Sequence, residues 1–147
     1  MNRPVTTTLG IAVLFTLGAV LGKYLELEPY QISIFWPPSG IALTAVLILG
    51  NRALPGIAIG AILTLAMAIS REPNAPFMVI AGVGAITMIA WVLQPVAAAY
   101  LLVRQFQLPM AWGSLGAYIR GATVLVVCAT IPASAGTAAL YATGEMP

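Results

Sequence analysis

The sequence predicts an all-α integral membrane fold, a bundle of about five transmembrane helices with a short or broken helix near its second span. Three observations carry that expectation. Of 147 residues, 61% are hydrophobic and only 7% are charged, whereas a soluble domain carries about 25% charged residues. The mean hydropathy is +1.00, so the solvent for most of the surface is lipid. The apolar stretches also run far past ten residues without the alternation of a barrel strand, and in lipid only helices and closed barrels satisfy their own backbone groups.

Five apolar segments follow one another, at 5–21, 32–49, 54–69, 76–103 and 115–141, in a single membrane domain spanning 1–147. The first is preceded by Arg3 and followed by Lys23, Tyr24 and Glu26 instead of a small-x-small cleavage site, so it reads as a retained span and not a signal peptide. The second contains Pro37 and Pro38, which suit a first helical turn and no later one, so a short helix from about Pro38 to Leu49 is expected. The third is shorter than the roughly 20 residues of a straight span and needs shelter from neighbours or locally thinned lipid. The fourth is longer than a straight span requires and contains Gln94 followed by Pro95, where it should either bend or break into two pieces. The connections are short, which makes neighbouring helices antiparallel.

Charge sets the expected orientation. With the N-terminus in the cytoplasm, the inner side holds the boundary anchors Arg3, Arg52, Arg104 and Arg120, and the outer side holds Lys23, Arg71 and the four glutamates Glu26, Glu28, Glu72 and Glu145. With five spans, the C-terminus then lies on the outer side. Neither Arg104 nor Arg120 has other arginines at helical spacing, so both read as anchors and not as gating charges. The six basic residues never cluster, which argues against nucleic acid as a partner.

The residue types exclude much chemistry. The chain has no histidine and no aspartate, which removes the usual haem and zinc ligand, the usual general base and any Ser-His-Asp arrangement. No enzyme activity, cofactor or metal is expected. The single cysteine, Cys128, lies in an apolar run and reads as a small core residue.

What remains points to packing and binding. The string Trp36-Pro37-Pro38-Ser39-Gly40 opens an apolar helix. Its start can be an interfacial anchor with a proline-initiated helix, or a ligand-facing helix end offering amide donors and the positive end of the dipole. Gln94, the one amide deep in the longest apolar run, should face the bundle, either bonding structurally or contacting a small polar ligand. Trp36, Ser39 and Gln94 are the groups expected to converge on a pocket. Gly18 with Gly22, and Gly56 with Gly60, form GxxxG pairs that allow close helix approach, within the chain or to a partner subunit.

The segment Trp36 to Ala61, WPPSGIALTAVLILGNRALPGIAIGA, resembles the signature of the first class of bacterial membrane-associated sensor domains, the MASE family. In that pattern a Trp-Pro-Pro-Ser-Gly helix start is followed by a Gly-x-Arg turn and a Pro-Gly helix, matched here by Gly50, Arg52, Pro55, Gly56 and Gly60. A looser similarity covers Ala90 to Phe106. The resemblance covers the N-terminal part of the family's pattern, which carries further helices, and it implies a multi-span input domain joined to a histidine kinase, diguanylate cyclase or phosphodiesterase. The expected function is therefore a non-catalytic sensory or ligand-binding membrane module, with an unidentified small-molecule ligand. Its partners would be the bilayer and other membrane chains or a C-terminal continuation carrying the output. Two other readings fit the same features: a small accessory subunit of a photosynthetic or respiratory complex, and a substrate-binding component of a transporter.

Overall fold

The computed structural model describes residues 3–27, 32–33, 36–71, 77–106 and 115–143. Five helices dominate: α1 (Arg3–Tyr24), α2 (Pro37–Leu49), α3 (Leu54–Arg71), α4 (Phe77–Phe106) and α5 (Leu115–Thr143). Between α1 and α2 lies a minimal antiparallel ladder in which Glu26 pairs with Ser33 and Leu27 with Ile32. The chain is a multi-pass helical membrane protein.

The first helix is the element on which the next two are assembled. Val5, Leu9, Val13, Leu17 and Leu21 recur every fourth residue and are exposed, while Ile11, Ala12, Phe15 and Ala19 are buried. One face of α1 therefore meets lipid and the other meets protein. On the protein face the glycines remove the side chains that would hold neighbours away. A Cβ on Gly56 of α3 would lie 2.7 Å from the Thr8 carbonyl oxygen, and one on Gly60 would lie 2.8 Å from Phe15 Cβ. Toward the other end of α1, a Cβ on Gly18 would lie 2.8 Å from Ile41 Cδ1 of α2, and one on Gly22 would lie 2.8 Å from the Trp36 ring.

These contacts fix the directions of the helices. Ascending α1 from Thr8 to Phe15 ascends α3 from Gly56 to Gly60, so the two are parallel. Ascending from Gly18 to Gly22 descends α2 from Ile41 to Trp36, so α2 is antiparallel to α1. The apolar run from Pro37 to Ser70 therefore goes down and returns. Its turn is a 3₁₀ helix at Gly50–Ala53, entered through Gly50 at φ 59°, whose amide donates to the Val46 carbonyl. Glycine reaches that left-handed region without the steric cost of a Cβ.

Among the described residues, four helical segments are long and apolar enough to cross a membrane: Pro4–Tyr24, Pro37–Ser70, Ala81–Arg104 and Leu115–Ala135. This corrects the expectation of five separate spans. The segment expected at 32–49 does not stand alone, because Ile32 and Ser33 belong to the ladder and α2 has 13 residues. At 1.5 Å per residue that is about 20 Å, against a hydrocarbon core of about 30 Å. By length and composition it is counted within the Pro37–Ser70 run and not on its own.

The fourth helix is one continuous element through Pro95, which is fully buried. α5 likewise continues through Pro132, a proline the sequence reading passed over. The main core joins Ile11 and Phe15 of α1, Ala42 and Val46 of α2, Ala53 from the turn, Ile57 and Ala61 of α3, and Ala99 of α4. A second cluster joins Ala98 and Leu102 of α4 to Val124 and Cys128 of α5, with Leu43 of α2 against it. Alanine and glycine at these interfaces suit a medium where helices associate by close packing, since lipid tails solvate leucine as well as protein does.

A bulky residue at a glycine interface should therefore destabilise the bundle, and one on an open face should not. Gly60→Leu forces the Phe15 contact apart, whereas Gly10 and Gly82 have nothing within 4 Å of a Cβ position. Thermal unfolding in detergent should show Gly60→Leu destabilised by about 1–3 kcal/mol, the usual cost of overpacking, with Gly82→Leu close to wild type. Equal midpoints would remove the glycine interface from this account.

Candidate functional site

The site is built where α2 begins. Trp36 is the residue before the helix, and Pro37 and Pro38 occupy its first two positions. A helix start normally leaves its first amides free to hold an anion. Here two of those positions are proline, which has no N–H, and the Ser39 amide donates to the Trp36 carbonyl at 3.1 Å. The expectation that this helix end offers a set of free amide donors is therefore corrected: the sequence that starts the helix also removes its donors.

The polar group that faces the bundle is instead the Ser39 side chain. Its hydroxyl donates to Gln94 Oε1 of α4 at 3.1 Å in a partly buried position. The Gln94 amide nitrogen makes no hydrogen bond among the described residues. Gln94 thus spends its acceptor on Ser39, while its amide donor has no partner among the described residues.

A tryptophan precedes each partner of this bond by three residues. Trp91 lies one helical turn before Gln94 on the same side of α4. Its ring is 5.7 Å from that of Trp36 at an interplanar angle of 33°, and 6.3 Å from that of Phe15 at 55°. Phe15 is fully buried, whereas Trp36 and Trp91 are partly exposed. Pro38 is fully buried against the α1 face near Gly18. Gly40 is exposed, with open space beside it.

The structure thus brings Trp36, Ser39 and Gln94 into one junction of α1, α2 and α4, with Pro37 and Pro38 as its rigid floor. Gly18 and Gly22 lie under that floor and Gly56 and Gly60 lie deeper along α1. Sequence reasoning missed Trp91 and Phe15. The spacing of Trp91 three residues before Gln94 was a signal for the first; for the second, an aromatic in a uniformly apolar helix carries none.

The four arginines Arg3, Arg52, Arg104 and Arg120 lie away from this junction, toward the other end of the bundle, whereas Arg71 ends α3. Arg52 is in the turn that touches α1 and shares an end with Arg3. Arg104 is in the last turn of α4, where its guanidinium donates to the Tyr100 hydroxyl and lies 5.6 Å from that ring's centroid. Arg120 is exposed near the start of α5. No group of three or more potential metal ligands occurs among the described residues.

A polytopic helical bundle with small-residue interfaces and a polar junction beneath a Trp-Pro-Pro-Ser-Gly helix start is a membrane-embedded helical domain. The sequence model of MASE1, a membrane-associated sensor domain, matches residues 7–147, and the chain belongs to that family. No curated protein and no solved structure gives a match.

The Ser39–Gln94 bond can be isolated by a double-mutant cycle. Ser39→Ala and Gln94→Leu should each lower stability in detergent by about 0.6 kcal/mol, up to ~1.7, the range for interhelical hydrogen bonds in membrane proteins. The double variant should be less destabilised than the sum of the two, because each single change already breaks the bond. Strict additivity would mean the two side chains do not interact.

Proposed function

We propose that this chain is a sensory input module whose state is set at the α2–α4 junction, by exchange of the Ser39–Gln94 bond for a bond to a neutral ligand. Membership of the MASE1 family supports the sensory class. The observation that carries the finer reading is the bond itself, 3.1 Å long and partly buried beside two partly exposed tryptophans.

The energetics suit a switch. An interhelical hydrogen bond in lipid is worth on the order of 1 kcal/mol, so a ligand that replaces it needs little differential affinity to shift helix positions. Gln94 can offer its amide donor, Ser39 its hydroxyl, and Trp36 and Trp91 flat apolar faces. Because prolines occupy the first turn of α2, the junction is poorly equipped for an anion and better suited to a neutral molecule with a hydrogen-bond acceptor and an apolar body.

Tryptophan emission tests this directly, since Trp36 and Trp91 flank the bond. Neutral compounds screened against the chain in lipid nanodiscs should include ligands that change emission in wild type and lose most of their affinity, about tenfold per 1.4 kcal/mol, in Gln94→Leu. Ligands that bind Gln94→Leu as tightly as wild type would refute the proposed junction site.

We also propose that the arginine-bearing end faces the cytoplasm, following the basic asymmetry. In a Cys128→Ala background, Asn51→Cys should label only from the cytoplasmic side and Lys23→Cys only from the opposite side. Reversed labelling would invert the orientation, and labelling of both from one side would contradict the return of the chain at Gly50.

A further inference from the structure

α4 and α5 do not close completely against each other. Between them is an open-sided crevice of about 280 Å³ lined by Leu101, Arg120, Thr123, Val124 and Val127. Its volume falls just below the roughly 300–1,000 Å³ of pockets that bury drug-sized ligands, and its walls are apolar except at the Arg120 end. That shape suits part of an acyl chain better than an enclosed solute.

Arg120 is the unusual lining residue. It lies five residues into α5, within the Leu115–Ala135 membrane segment. Its guanidinium turns back along the helix, with Nη1 3.9 Å from the Cβ position of Gly116, toward the membrane boundary. It makes no hydrogen bond or ion pair among the described residues. The contrast with Arg104 is informative, since that guanidinium is engaged by Tyr100 on its own helix. None of the chain's four carboxylates belongs to the end of α4 or the start of α5: Glu26 is in the ladder near the opposite end of α1, and the other three are Glu28, Glu72 and Glu145.

A guanidinium at the edge of the hydrocarbon is stabilised by an anion, and none lies beside it among the described residues. The anion available at that depth is a lipid phosphate, which a guanidinium can grip with two parallel hydrogen bonds. We infer that the α4–α5 crevice is a binding site for one anionic phospholipid. Its phosphate is held by Arg120 and one acyl chain lies along Leu101, Val124 and Val127. Thr123, whose hydroxyl bonds back to the Ile119 carbonyl at 2.9 Å, keeps its polar group off that apolar wall.

Native mass spectrometry of the full chain from micelles containing phosphatidylglycerol and phosphatidylcholine tests the site. Wild type should retain one phosphatidylglycerol in preference to phosphatidylcholine. Arg120→Gln should lower that preference about fivefold, the weight of one basic residue near an anionic surface. Arg120→Lys should keep most of it, and Arg104→Gln should leave it within twofold. Val127→Trp, which fills the crevice from its exposed side while sparing the charge, should reduce retention of either lipid. Inorganic phosphate should not displace the bound lipid. The proposal is overturned if Arg120→Gln retains phosphatidylglycerol as wild type does, or if Arg104→Gln loses as much. It is also overturned if inorganic phosphate competes, which would mark a small-anion site with no role for the acyl chain.

Discussion

The close approach of α1 to the α2–α3 hairpin is the constraint on which the rest of the bundle depends. In water, burying the leucines of α1 would draw helices together; in lipid that drive is absent, and contact must be won by backbone proximity. Gly56 against the Thr8 carbonyl and Gly60 against Phe15 bring α3 to α1, while Gly18 and Gly22 admit the start of α2. Once both arms lie on α1, the main core of Ile11, Phe15, Ala42, Val46, Ile57 and Ala61 closes and presents a surface to α4. The fifth helix then joins through α4, at Ala98, Leu102, Val124 and Cys128.

The double proline serves this arrangement twice. Pro38 is fully buried at the α1 interface, and the pair fixes where α2 begins. The same two residues silence the helix end electrostatically at short range, since an amide that is absent cannot coordinate an anion. The polar character of the junction therefore rests on side chains, Ser39 and Gln94, whose bond can be made or broken without disturbing the backbone ladder of either helix.

Helical class, the start of α2 near Pro38 and the glycine faces were legible because each has a local cause: long apolar runs, the proline requirement for a first turn, and the four-residue spacing of Gly18 with Gly22 and Gly56 with Gly60. The number of spans was not, because hydropathy does not distinguish a hairpin arm from a full crossing. Leu54 to Arg71 and Pro37 to Leu49 are equally apolar to the eye, and only the 13-residue length of α2 and the return at Gly50 separate them. Within the site, Gln94 stood out because an amide is costly in lipid, and Ser39 because it follows the prolines. Trp91 and Phe15 did not, since an aromatic ring among aliphatic residues announces no direction until the helices are docked.

Pro95 follows Gln94 immediately and is fully buried. Lacking an N–H, it leaves out one rung of the helical ladder, the one that would have tied it to the carbonyl of Trp91. Mechanically, α4 remains one continuous helix whose missing rung makes a softer joint between an upper and a lower rod. The upper rod carries the ring and amide that meet α2; the lower carries Ala98 and Leu102, which meet α5. A small tilt about that joint becomes a larger sideways displacement at the far end of the lower rod, so the residue that looks like a defect in the helix gives it leverage.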